Sequence, residues 1–264
     1  MRAGLLGAGH IARALAEGWR RPLAAGGARP DLFVYDPVAE RAAALAAAFD
    51  ARACSSPTEL AGACDVVVLA MRPDDVAAAL GALAPALGDC AVVSVAAAVP
   101  LATLVAGLPA GARVARVMPN VAAAVGQGVF LLVPGTLSGR QASDVAGLFG
   151  LAGMVVEVTE QQFDAATAVA GCGPGFAALF VEALAGAGTA SGLDATLAGR
   201  LAVGAVAGAA ALVARDGDPV ALRTAIATPG GMTAAGVDVL EARDLRGALA
   251  AAVAAAVARA RRTP

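Results

Sequence analysis

The feature that most constrains this chain is the run Gly7-Ala8-Gly9-His10-Ile11-Ala12, set between an apolar stretch at residues 2–6 and an amphipathic stretch reaching about Trp19. It reads as G-x-G-x-x-A joining a strand to a helix. The first glycine permits a tight turn, the second lets the backbone approach a pyrophosphate, and the small Ala12 lets helix and strand pack closely. The helix N-terminus then offers free N–H groups and a positive dipole end. In this context the motif predicts a dinucleotide site that uses Gly7, Gly9, His10, Ile11 and Ala12. A second strand at residues 32–35 ends at Asp36. There a carboxylate accepts hydrogen bonds from a ribose 2′-hydroxyl and repels a 2′-phosphate, with Arg41 near enough to offset that repulsion. The cofactor is read as NADPH or NADH, leaning to NADH on Asp36.

The alternation continues. Helices are predicted at residues 40–49, 58–62, 74–87, 101–106 and 138–151, and strands at 65–70, 90–95, 112–117, 128–133 and 154–158. Continuous apolar strands such as Val66-Val67-Val68-Leu69 belong to a parallel sheet covered on both faces. The fold class is therefore α/β, a Rossmann-type doubly wound parallel sheet. The segments at its carboxyl ends are the glycine loop, Ala70-Met71-Arg72-Pro73, Ala96-Ala97-Ala98 and Met118-Pro119-Asn120. After Val158 the strands stop. Predicted helices fill the rest, at 160–170, 174–192, 194–216, 219–227, 229–241 and 244–261, with Thr228 as N-cap and Pro229 in the first position of the fifth. Two domains follow, a dinucleotide-binding domain at 1–158 and an all-helical dimerisation and substrate domain at 159–264. The Ala-rich helical faces bury little area each and call for a partner chain, a homodimer or higher homo-oligomer.

Absences narrow the chemistry. The 264 residues include one histidine and not a single lysine; all 19 cations are arginines. This excludes Schiff-base catalysis and a Walker lysine, and leaves little room for a serine or cysteine triad. Cys54, Cys64, Cys90 and Cys172 lack metal-ligand spacing, so no metal is expected and the first three read as buried thiols. What remains is chemistry carried by a cofactor. Net charge of −2 offers no pull toward nucleic acid, and Arg259, Arg261 and Arg262 read as a charged last helical turn. Mean hydropathy is +0.73. The uncharged stretch 201–214 is read as too short to span a bilayer, and the one at 176–193 as interrupted by Glu182. With no signal-peptide pattern recognised, a cytoplasmic protein is expected.

At Arg116-Val117-Met118-Pro119-Asn120, Gly171-Cys172-Gly173-Pro174 and Thr228-Pro229-Gly230-Gly231-Met232-Thr233, together with the motifs above, the chain resembles the pyrroline-5-carboxylate reductase family over essentially its whole length. The resemblance implies NAD(P)H-dependent reduction of a cyclic imine carboxylate to L-proline, in proline biosynthesis. It implies that Thr228 and Thr233 face the substrate as catalytic residues. The N–H groups of Gly231, Met232 and Thr233 cradle its carboxylate beside Gly230, with Cys172 and Phe176 near the ring. Ala70, Arg72, Pro73, Ala97 and Asn120 join the cofactor side. The sequence departs from the family at Arg72, usually lysine, at Val121-Ala122, usually Thr-Pro, and at Cys172, Gly175 and Phe176, usually Ser, Ala and Tyr. These departures keep two alternatives open: reduction of a related cyclic imine carboxylate, and a dinucleotide-binding subunit without catalysis.

Overall fold

The computed structural model describes residues 1–21 and 29–261; Arg262 lies outside them. The chain divides into two compact units, Met1–Cys172 with Val257–Pro264, and Gly173–Ala256.

The first unit is an eight-stranded sheet. In chain order its elements are β1 (Arg2–Leu6), α1 (His10–Arg20), β2 (Asp31–Tyr35), α2 (Ala39–Phe49), β3 (Arg52–Ala53), α3 (Pro57–Ala63), β4 (Val66–Leu69), α4 (Pro73–Leu83), β5 (Ala91–Ser94), α5 (Leu101–Ala106), β6 (Arg113–Met118), β7 (Gly128–Val133), α6 (Gly139–Gly150), β8 (Gly153–Glu157) and α7 (Phe163–Ala170). Strand order is β3-β2-β1-β4-β5-β6-β7-β8, doubly wound about β1. Period-2 alternation sends Leu5, Val34, Val68 and Val93 into one core with Trp19, Phe130 and Phe149. Leu6, Val67, Leu69 and Val92 enter the opposite core with Leu80 and Leu104. Helix α1 buries Ala12, Leu15, Ala16 and Trp19, one stripe at helical spacing. Trp19 meets Phe149 edge-on at 5.7 Å, and Phe149 meets Phe130 at 5.2 Å. Each such burial contributes roughly 1.5–3 kcal/mol.

The sheet is not wholly parallel as expected, because β6 and β7 pair antiparallel. Only residues 119–127 connect them, including a 3-10 turn at Val121–Val125. A parallel crossover needs a dozen or more residues, usually with a helix. The two-residue β3 was also not anticipated. Helix α7 begins at Phe163 rather than at residue 160, because the chain before it makes tighter turns: Gln162 N–H donates to the Thr159 carbonyl and Phe163 N–H to that of Glu160, and the first full helical bond runs from Ala166 to Gln162. The first unit likewise runs past Val158, because Phe163 is buried with Leu131 and Val133 of β7.

The second unit holds α8 (Gly173–Ala190), α9 (Ala195–Asp216), α10 (Pro219–Ile226), α11 (Met232–Ala242) and most of α12 (Leu245–Ala260). Its helices have good caps: Asp194 accepts the amides of Thr196 and Leu197, and Asp218 those of Val220 and Ala221. Their apolar faces nonetheless stay uncovered within the chain. Among the described residues α8, α10, α11 and α12 bury none, and α9 buries only Ala198 and Ala202. Helix α9, and the run Phe163–Ala190, are long and apolar enough to cross a membrane by length and composition. This corrects the length argument for residues 201–214, which sit inside a 22-residue helix. Glu182, at the middle of α8, is the kind of mid-helix charge a bilayer core disfavours, and Arg200 lies in the second turn of α9.

Candidate functional site: a dinucleotide cleft and a helix N-terminus

A cleft of about 880 Å³ opens at the carboxyl ends of β1, β2 and β4, where the strand order reverses. Gly7, Gly9, His10, Ile11, Asp36, Ala70 and Arg72 line it, as the sequence predicts. Gly7 has φ +106°, and a Cβ there would lie 2.4 Å from the Ala70 carbonyl oxygen, so no other residue fits between the two strand ends. Gly9 differs: a Cβ would meet nothing within 4 Å. Protein packing does not demand that glycine, so its bareness serves whatever fills the cleft. Past it, Arg13 N–H makes the first helical bond, to Gly9. Among the described residues the amides of His10, Ile11 and Ala12 are thus the partner-free N–H groups of a helix start. This geometry fits a pyrophosphate, and the cleft has room for a nicotinamide dinucleotide.

Asp36 is 8 % exposed, and its two oxygens already have partners. Oδ2 accepts the amide of Ala8 at 2.8 Å and Oδ1 that of Val38 at 2.9 Å. The carboxylate therefore holds the glycine loop against the end of β2, and each oxygen keeps one lone pair for a ribose hydroxyl. Arg41 lines the same wall. Arg72 is exposed and weakly paired with Asp75 at 3.5 Å.

Four residues expected on the cofactor side have no side chain in the lining of this cleft. Ala12 is fully buried in the core and acts as the small packing residue of the motif. Pro73 is the first residue of α4, behind Arg72. Ala97 is exposed in the loop after β5 and does not line the cleft. Asn120 is buried and committed to the backbone: Nδ2 donates to the Ala170 carbonyl at 3.0 Å, and Oδ1 accepts the Val129 amide at 3.2 Å. It ties the end of β6 to β7 and to the end of α7. Tyr35, Pro57 and Asp75 also line the cleft. The sequence reading missed them, although a residue beside Asp36 and the first turn after Arg72 were the places to look.

In the second unit, Thr228-Pro229-Gly230-Gly231 forms a turn instead of the expected helix start. Gly231 N–H donates to the Thr228 carbonyl at 2.9 Å. Gly230 takes φ +75°, as the third position of a type II turn requires. Helix α11 then starts at Met232 with Gly231 as N-cap and no side-chain cap. Its first helical bond runs from Ala235 to Gly231. This alters the expected cradle: the Gly231 amide is occupied inside the turn, and the amides without a partner among the described residues are those of Met232, Thr233 and Ala234. Thr228 Oγ1 folds over the turn, 2.7 Å from where a Cβ on Gly231 would stand. Both threonines are exposed, as is Met232. Cys172 and Phe176 are half-buried at the junction of α7 and α8.

A doubly wound sheet with a bare glycine cradle at its switch point, followed by a helical unit whose α11 begins on open amides, is the arrangement of a dinucleotide-dependent oxidoreductase. The comparisons agree. Residues 2–98 match the family described as NADP oxidoreductase, coenzyme F420-dependent, and residues 160–263 that described as pyrroline-5-carboxylate reductase dimerisation. The pyrroline-5-carboxylate reductase of Mycobacterium leprae is 38 % identical over 97 % of this chain and 94 % of its own. That of Escherichia coli is 31 % identical over 94 % and 93 %. The structure of the Plasmodium falciparum enzyme with NADP bound superposes with TM-score 0.86 at 29 % identity, over 98 % and 97 % of the two chains. The chain belongs to the pyrroline-5-carboxylate reductase family of NAD(P)H-dependent oxidoreductases.

Proposed function

We propose that this protein reduces 1-pyrroline-5-carboxylate to L-proline with NAD(P)H, as a cytoplasmic homodimer or larger homo-oligomer built on its helical unit. The observation that carries the substrate class is the start of α11: three partner-free amides at the positive end of an 11-residue helix suit a carboxylate without any cationic side chain. That suits a chain without lysine. It also sets the cradle at Met232, Thr233 and Ala234, with Gly230 and Gly231 shaping the turn before it.

When bound, a reduced nicotinamide dinucleotide would supply hydride to the imine carbon. The chain's own groups bind and orient. The α1 N-terminus and Gly9 hold the pyrophosphate, Asp36 stiffens the loop that carries it, and the α11 amides fix the substrate carboxylate. Hydride transfer needs its reacting atoms at roughly 3–3.5 Å, and groups that bind and orient both partners avoid the entropy cost of a chance encounter. The Thr233 hydroxyl, without a partner among the described residues, hydrogen-bonds the substrate or relays a proton toward the imine nitrogen. A threonine hydroxyl is a poor acid, so the imine enters protonated.

The replacements at Cys172, Gly175 and Phe176 favour one second reading, a related cyclic imine carboxylate as substrate. NAD(P)H oxidation by the purified protein separates the two, with pyrroline-5-carboxylate run beside five- and six-membered 2-carboxylate imines. Fast turnover of pyrroline-5-carboxylate supports the first reading. Activity confined to another imine replaces it, and the absence of turnover on all of them leaves a binding subunit.

A further inference from the structure

Arg116 is a charged side chain at the carboxyl end of β6, and only 5 % of the residue is exposed. Its Nη1 meets Glu160 Oε1 at 2.5 Å, and its guanidinium lies 3.9 Å over the Phe163 ring. The same Glu160 oxygen accepts the Leu101 amide at 3.0 Å. Leu101 is the first residue of α5, and the residue before it, Pro100, has no side-chain group to cap the helix. Glu160 thus serves as the missing cap from 59 residues away, and Arg116 holds it there.

The loop that ends at this contact is residues 96–100. At its start Ala96 N–H donates to Ser94 Oγ at 3.3 Å. Within it Ala98 takes φ +59°, a left-handed conformation that a residue with a Cβ keeps only where its surroundings hold it. The loop's place is fixed by register: Ser94 pairs with Leu69, whose strand leads into the cleft-lining Ala70-Met71-Arg72. The sheet runs from β2 through β1 and β4 to β5, and Asp36 stands at the β2 side. A dinucleotide lying across the switch point with its adenosine toward β2 brings its other half over β4 and this loop.

We propose that Glu160 is a positioning residue of the reductase: by capping α5 and pairing with Arg116 it fixes the loop at residues 96–100 against the nicotinamide half of the cofactor. The inference rests on the oxidoreductase reading above. The geometry assigns the positioning role to an acceptor of the right reach, while the charge balances the buried Arg116 and bears on stability. Glu160→Gln, which keeps an oxygen at the same distance, should therefore behave unlike Glu160→Asp, which keeps the charge one methylene short.

The test has three readouts on the full chain. Hydrogen exchange of the unliganded protein follows the amides of residues 95–106. Nicotinamide fluorescence titration gives the Kd for NADH and NADPH without any imine, so it reports even where turnover of pyrroline-5-carboxylate fails. Steady-state kinetics separate the cofactor KM from the imine KM. Glu160→Ala and Glu160→Asp are expected to speed exchange at Leu101 at least tenfold and raise the cofactor Kd about tenfold, with the imine KM within threefold; Glu160→Gln stays within threefold of the parent in all three, though its Tm falls because the buried Arg116 loses its counter-charge. Should Glu160→Ala not fold, the Asp and Gln variants carry the comparison. An Asp variant indistinguishable from the parent, or a Gln variant as impaired as Asp, overturns the proposal.

Discussion

The Asp36 carboxylate accepts the amide of Ala8 at 2.8 Å, so the residue that closes β2 also holds the middle of the glycine loop. Its charge still faces the cleft, which disfavours a 2′-phosphate, but its removal now has two consequences. Asp36→Ala leaves the part-buried Ala8 N–H without an acceptor, at a cost of about 1–3 kcal/mol. It also deletes the repulsion. Both cofactors should bind more weakly, NADH by about tenfold or more, while the ratio of kcat/KM values moves toward NADPH by about tenfold. Steady-state kinetics with each cofactor check this. A parent that already strongly prefers NADPH, or a variant with an unmoved ratio, removes Asp36 from cofactor selection.

The turn before α11 makes a sharper case. A Cβ on Gly231 would stand 2.7 Å from Thr228 Oγ1 and 3.0 Å from its carbonyl oxygen. Gly231→Ala must rotate the Thr228 side chain and press its carbonyl back by a few tenths of an ångström, shifting the amides of Met232, Thr233 and Ala234. The expected result is a fall in kcat/KM for the imine of about tenfold, less than the ~10²-fold effect that about 1 Å of misplacement has on a positioned reaction. Cofactor Kd by fluorescence should stay within twofold. Thr233→Ala should lose about 10²-fold in kcat/KM, also without loss of cofactor binding. Parental activity in Thr233→Ala means that its hydroxyl takes no part.

How much of this was readable beforehand follows from which interactions are local. The cleft-lining residues of the glycine loop were legible because strand, turn and helix sit within one short segment whose residue types have few structural alternatives. Strand β7 was legible to the residue from its apolar run. The antiparallel β6–β7 pairing was legible in principle, since the link at residues 119–127 is too short for a crossover. The hydrogen bonds of Asn120, and the Arg116–Glu160–Leu101 contact, were not. Each joins residues far apart in sequence through single atoms, and no periodicity encodes such a pairing. Thr228-Pro229 was misread for a subtler reason. Thr-Pro opens a helix as readily as it opens a turn, and Gly230 at φ +75° decided the matter.

The three buried thiols make a prediction about alkaline pH. Burial pushes the Cys64 thiol far up, and Cys90 is pushed up to about 12, again by burial first and by Asp65 second. Cys54 is raised as well, by burial and then Glu59. Raised folded values mean that the neutral thiol is favoured by the fold. Their contribution to stability is complete below the unfolded thiol value near 9 and is lost as pH rises above it, when the unfolded chain releases protons that the folded chain keeps. With no lysine and one tyrosine in the chain, few other groups titrate there. Urea unfolding should lose about 1 kcal/mol or more per pH unit between about pH 9 and 10.5. The double variant Cys64→Ala, Cys90→Ala should flatten that slope, though it starts less stable. An unchanged slope would mean that these thiols ionise in place.

Helix α9 tests the assembly. Leu197, Leu201 and Val203 are 44 %, 54 % and 56 % exposed within the chain, on a helix that buries only two alanines. Large apolar side chains left this open mark a surface that another body covers, and the dimerisation match at residues 160–263 makes a second copy that body. Leu201→Asp replaces roughly 1.5–3 kcal/mol of burial per subunit with a charge that association must desolvate. Both copies carry the change in a two-fold dimer, so the dimer Kd should rise by more than about 100-fold. Light scattering behind size exclusion should then find monomer at micromolar concentration, with a lowered Tm. Asp36→Ala, whose task is to hold the glycine loop, should elute with the parent and serves as the control for mass. A Leu201→Asp protein of parental mass and Tm would show that this stretch of α9 lies outside the interface, and that the dimer is built on the open faces of α8 or α11 instead.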